Sequence, residues 1–112
     1  MKKDIADILC NQIINNGLII NDVYKVINES SFLTHKPEKF INRISSVKSY
    51  CYELYYDYQL GKINNDDLND KMIILMNGVV NYKNSYPRNS YGYKVMNSIL
   101  SVLIDTFNDI NN

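Results

Sequence analysis

The sequence is poor in the residues that most chemistry requires. It has one histidine, His35, and two cysteines, Cys10 and Cys51, which stand far apart with no CxxC or Cys/His spacing. Neither a zinc site nor a redox motif is indicated, and both thiols are expected to be buried and reduced. Net charge is missing too: twelve basic residues cancel twelve acidic ones. That removes any global attraction to nucleic acid or to an anionic membrane. No stretch approaches the ~20 apolar residues of a membrane span. Met1 to Asp7 mixes lysines with aspartates where a signal peptide would carry an unbroken apolar core. A cytoplasmic protein is expected. No run alternates apolar and polar residues between hairpin turns, so no strand is predicted.

Catalytic templates are also lacking. There is no GxGxxG, no GxxxxGK[ST], no HExxH and no EF-hand loop. His35 lies beside Lys36 and Pro37 with no neighbouring nucleophile, which reads as an ordinary exposed loop residue. No catalytic residue, cofactor or metal is therefore assigned, and the chain is read as a non-enzyme that works by binding a partner.

What is present suits a helical domain. At 112 residues, a single domain spanning 1–112 can bury roughly two thirds of the surface its unfolded form exposes. The 17 Asn, 15 Ile, 10 Tyr, and 10 Lys against 2 Arg form a bias that AT-rich codons would produce. Ile5, Ile8, Leu9 and Ile13 recur at helical spacing and predict a first helix over 4–16, stopped by Asn16-Gly17. A second, over 21–30, would start from Asn21 with Val23, Val26 and Ile27 inside. Pro37 suits a first helical turn. From it a long third helix, 37–60, carries Phe40, Ile44, Val47, Cys51, Leu54 and Tyr58 in steps of four and three, up to Gly61.

A fourth helix, 65–82, is capped by Asn65 and buries Leu68, Met72, Leu75, Met76 and Val79. Gly78 weakens its middle, which predicts either a close helix contact or fraying there. Lys83 to Asn89 reads as a loop. A last helix, 90–109, presents Met96, Ile99, Leu100, Leu103 and Phe107 on one face. The expected fold is all-α, a compact antiparallel bundle of four to five helices.

The run YCYELYYDY, Tyr50 to Tyr58, carries the most informative surface. Tyr52 and Tyr56 are four apart beside Glu53 and Asp57, also four apart, which predicts an aromatic and acidic stripe on the outer side of the long helix. Asp66, Asp67 and Asp70 follow just past the turn and would extend it into one negative patch if the two helices run antiparallel. A capped helix start is the simpler reading of these three aspartates than a metal site. Codon bias alone would also scatter tyrosines with no interface in view. Tyrosine is nevertheless enriched at binding hot spots, because it offers rigid contact area at low entropic cost.

The segment Leu54 to Met72, LYYDYQLGKINNDDLNDKM, resembles the helix, Gly-Lys-Ile turn and acidic helix start of small colicin-type immunity proteins. The wider class, immunity proteins of bacteriocins and of contact-dependent growth inhibition, is similar in size and helical make-up. The resemblance implies that the chain binds and neutralises a cognate toxin, by covering the basic surface of a nuclease domain. On that reading Tyr52, Glu53, Tyr56, Asp57, Asp66, Asp67 and Asp70 form the partner-binding surface, with no direct nucleic-acid contact and no membrane span. The alternative is a viral or phage helical adaptor of the Bcl-2-like type, gripping an amphipathic helix in an apolar groove formed by Phe32 and Leu33 with the Met72 to Met76 face. A transcriptional regulator would need a basic recognition helix, and no segment concentrates Lys or Arg on one face.

Overall fold

Spacing of apolar residues dictates where each helix lies and which face it buries. A computed structural model of the chain describes residues 4–16 and 37–112. Among these, all regular structure is helical. The expected helix over 21–30, the Asn16-Gly17 stop at its second residue, and His35 fall outside the described residues.

The first helix, α1 (Ile5–Leu9), is capped by Asp4, whose side chain accepts from the Ala6 amide. It runs on into a π-helical turn, Cys10–Ile14, closed by the Asn15 amide bonding the Cys10 carbonyl at 3.0 Å. Sequence spacing accounts for this wider turn. Ile8 and Ile13 are five apart, as are Leu9 and Ile14, and an α-helix would rotate such pairs by about 140°. The i to i+5 bond lets all four be buried together. One irregularity thus aligns residues that a regular helix would have split between core and solvent.

The long helix α2 (Pro37–Gln59) opens on its proline, with Glu38 in the first turn. Phe40, Ile44, Val47, Cys51 and Leu54 form a fully buried seam, as their period predicts. Gly61, two residues past the end of α2, turns the chain with φ 75°, a left-handed conformation that costs glycine little. The next helix, α3 (Asn65–Asn84), is capped by Asn64 rather than by the expected Asn65. Asn64 Oδ1 accepts from the Asp67 amide at 2.8 Å, while Asp67 Oδ2 accepts from the Asn64 amide at 3.2 Å, a reciprocal capping box. Asn65 instead accepts the Tyr58 hydroxyl at 2.8 Å and ties the two helix ends across the turn. The predicted loop begins later than expected, since Lys83 and Asn84 are still helical. Ser90 caps the last helix, α4 (Tyr91–Ile110).

Gly78 corrects an expectation. The helix neither frays there nor touches a neighbour, for a Cβ added at Gly78 would meet nothing within 4 Å. It lines instead a groove of about 190 Å³ between α2 and α3, with Val47, Tyr50, Ile74 and Tyr82. The cysteines differ as well: Cys51 is fully buried, whereas Cys10 is half-buried, and both are free thiols.

Side-chain ties set the run of the helices. Arg43, near the start of α2, bonds Ser85 just past the end of α3, so these two are antiparallel. Asn69, early in α3, exchanges hydrogen bonds with Asn111 after α4, at 2.8 and 3.0 Å, and Lys83 lies 5.5 Å from the Tyr93 ring. So α3 and α4 are antiparallel too, and they share the most extensive interface. The one buried polar side chain of the described residues, Thr106, lies 2.9 Å from Gln12 Oε1 and 2.8 Å from the Val102 carbonyl. Gln12 Nε2 donates on to Asp109 at 2.8 Å, which fastens the π turn to α4. No helix of the described residues is long and apolar enough to cross a membrane.

Candidate partner-binding surface

The buried seam of α2 decides how its remaining side chains are shared between two flanks. At about 100° per residue, Glu53 and Asp57 turn toward α3, while Tyr52 and Tyr55 turn the other way, toward α1. Ser49 and Tyr50 share a shallow depression with Glu53 on the α3 side. The stripe expected from the sequence is therefore divided along its length. Tyr56 lies between the two halves, three residues after Glu53 and four after Tyr52.

On the aromatic half, the Tyr52 and Tyr56 rings stack at 6.0 Å with planes 17° apart, and the Tyr55 ring meets Tyr56 edge-on at 5.4 Å. Offset aromatic contacts of this kind hold the rings in place and leave a rigid surface. Tyr56 is 51% exposed, the most exposed of the three, and it is the ring a partner would meet. Tyr52 is half-buried against the core, not wholly on the outer surface as the spacing suggested. Tyr55 is held from beneath. Its hydroxyl is pushed above its ordinary range by desolvation first, then by a hydrogen bond with Cys10, with smaller contributions from Cys10, Tyr56 and Asp7.

On the acidic half, Glu53 is exposed and Asp57 half-buried, and the Asp57 carbonyl accepts from the Lys62 amide at 2.8 Å. Past the turn, Asp66, Asp67 and Asp70 are all exposed, and the Asp67 carboxylate also accepts a bond in the capping box. Among the described residues no three His, Cys, Asp or Glu side chains converge to hold a metal ion. The two acidic groups are separated by the turn and by Tyr58, Ile63 and Asn65, which line a shallow hollow with Asp66. What the surface offers is a stacked aromatic ridge with carboxylates on one flank and beyond one end.

No family model, curated protein or solved structure matches the chain. Its surface must be read from its own chemistry. Of the face expected to line an adaptor's groove, Met72 is fully buried and Met76 half-buried, while Ile73 and Ile74 between them are exposed. Phe32 and Leu33 lie outside the described residues.

Two features escaped the sequence reading. The Arg43 guanidinium sits 4.9 Å from the Tyr82 ring and 5.1 Å from the Tyr86 ring, and Phe40 meets Tyr86 edge-on at 6.2 Å. This clamp locks the start of α2 to the end of α3. Its signal was the four-residue spacing of Tyr82 and Tyr86, obscured because α3 was expected to stop at 82. The contact between Tyr55 and Cys10 left no local signal, since the partners are 45 positions apart in a chain of 112.

Proposed function

We propose that this chain is an immunity protein: it binds the toxic domain of a cognate protein, a basic nuclease, and blocks it by covering its active or substrate-binding surface. The observation that supports this best is the stacked Tyr52–Tyr56 pair, with Tyr56 exposed and Glu53 and Asp57 on its flank. Stacking restricts the rings before any partner arrives, so little side-chain entropy is lost on contact. The carboxylates would speed encounter with a basic surface, and the tyrosines would supply the desolvated centre of the interface. Asp66 and Asp70 would act as a peripheral acidic field, and Asp67 mainly through the helix cap that positions them. An antiparallel helical bundle in the cytoplasm holds this surface rigid, and no bond is made or broken.

The test is a pull-down of the purified protein against the C-terminal domain encoded by the adjacent gene, followed by titration at low and high salt. Tight binding that weakens with salt and abolishes the neighbour's toxicity is expected. Tyr56→Ala should weaken that binding by about 2 kcal/mol, the scale of an interface hot spot, with helicity by circular dichroism unchanged. Wild-type affinity in Tyr56→Ala and Asp57→Ala would remove this surface from the interface. A neighbour that is harmless and does not bind would remove the immunity function.

A further inference from the structure

Among the described residues, exposed isoleucines stand on the outer sides of α3 and α4. Ile74 is 59% exposed, and Ile73 and Ile104 are each 43% exposed. Ile73 and Ile74, about 100° apart, stand on opposite flanks of the outer side of α3. Ile73 follows Asn69 by one turn, on the side of α3 that reaches α4. Ile104 falls on the same side of the α4 axis as Tyr93 and Asn111, which both reach α3. Ile73 and Ile104 therefore flank the α3–α4 seam, while Ile74 stands on the other flank, beside Gly78 in the groove that α2 also lines.

We infer that this second flank is the interface of a homodimer, in which α3 packs antiparallel against α3 of a second copy and Ile74 of each copy seats at Gly78 of the other. Three features fit a second copy. The first is shape: Ile74 and Gly78 are one turn apart, so a two-fold axis between them matches a knob to a notch twice over, as an isologous contact requires. The notch is open, since nothing lies within 4 Å of where a Gly78 Cβ would be.

The second feature is the charge along the helix. Asp66 and Asp70 are exposed at the start of α3, while Arg43, stacked on Tyr82 and Tyr86, and the exposed Arg88 stand at its other end. Antiparallel pairing about the Ile74–Gly78 axis sets each acidic start against the basic end of the other copy. The third feature is the formal net charge of zero, which leaves no overall repulsion between copies. Tyr52, Tyr55 and Tyr56 do not line this groove, so the oligomeric state is tested separately from the immunity function.

Sedimentation equilibrium of the full chain across the micromolar range, at low and high salt, tests it. A dimer is expected, weakened by salt. Ile74→Glu, at an exposed position, should keep its helicity and raise the dissociation constant by ~100-fold or more, because it buries a charge at the centre of the interface. Gly78→Ala should fold at least as well as wild type yet raise the dissociation constant by about 10-fold, by filling the notch. Asp66→Arg and Arg88→Glu should each weaken the dimer, and the two together in one chain should restore it, since the axis sets Asp66 opposite Tyr86, two residues from Arg88. A monomer at every concentration overturns the inference. So does a dimer that Ile74→Glu or Gly78→Ala leaves unweakened, or one that the double charge reversal fails to restore.

Discussion

Replacing Gly78 by alanine separates what a glycine costs a helix from what it does for a surface. Gly78 lies well inside α3, in unbroken α-helix, and its backbone needs no conformation that alanine cannot adopt. A Cβ there would meet no atom within 4 Å, so no steric cost offsets the gain in helix propensity. That gain is about 1 kcal/mol, the difference between glycine and alanine in a helix interior. For a chain of this length the entropy of unfolding converts about 1 kcal/mol into a rise in Tm of roughly 4 °C. Thermal and urea melts at the lowest workable protein concentration, where any dimer has dissociated, should show the rise with an unchanged urea m-value. An unchanged or lower Tm would refute the reasoning, and would mean that the space beside Gly78 is filled in solution.

Arg43→Ala should cost about 1–2 kcal/mol by removing two cation–π contacts and the bond to Ser85, and Arg43→Lys should recover only part of this, since an ammonium cannot stack as a planar guanidinium does. Urea titration of the three proteins gives the comparison. Cys51 makes a prediction about alkaline pH. Burial pushes its thiol from 9.0 up to about 12, so the folded state keeps its proton at pH values where the unfolded state loses it. The stabilisation is fully present below pH 9 and is lost as pH rises toward about 12, amounting to about 2 kcal/mol between pH 9 and about 10.5. Stability measured against pH should fall less steeply in Cys51→Ala than in wild type, and equal slopes would contradict the burial argument. Native Cys51 should also resist thiol reagents that label the half-buried Cys10.

Much of the architecture can be read from the chain alone, because the signals involved are local. The seam from Phe40 to Leu54, the Gly61 stop, the Ser90 start and the buried faces of α3 and α4 follow from apolar periodicity and capping chemistry, which act over a few residues. Where local reasoning slipped, it slipped by a residue or two. Asn64 and Asn65 are both competent caps, and the choice falls to Asn64 because Asp67 is then placed to close the box while Asn65 is free to meet Tyr58. The π turn was hidden in plain spacing, as pairs five apart signal it only once both members are known to be buried.

The candidate surface was legible in kind but not in arrangement. Tyr52, Tyr56, Glu53 and Asp57 do lie within two turns of one helix, yet which flank each occupies depends on where α1 and α3 press against it. Tertiary packing alone decided that Tyr55 leans toward Cys10 while the carboxylates face α3, and that Arg43 reaches Tyr82 and Tyr86 some forty positions along the chain. The sequence by itself determined helices and their buried faces, since those arise from neighbours along the chain. The neighbours of an exposed side chain come from elsewhere in the chain, and only the packed structure brings them near.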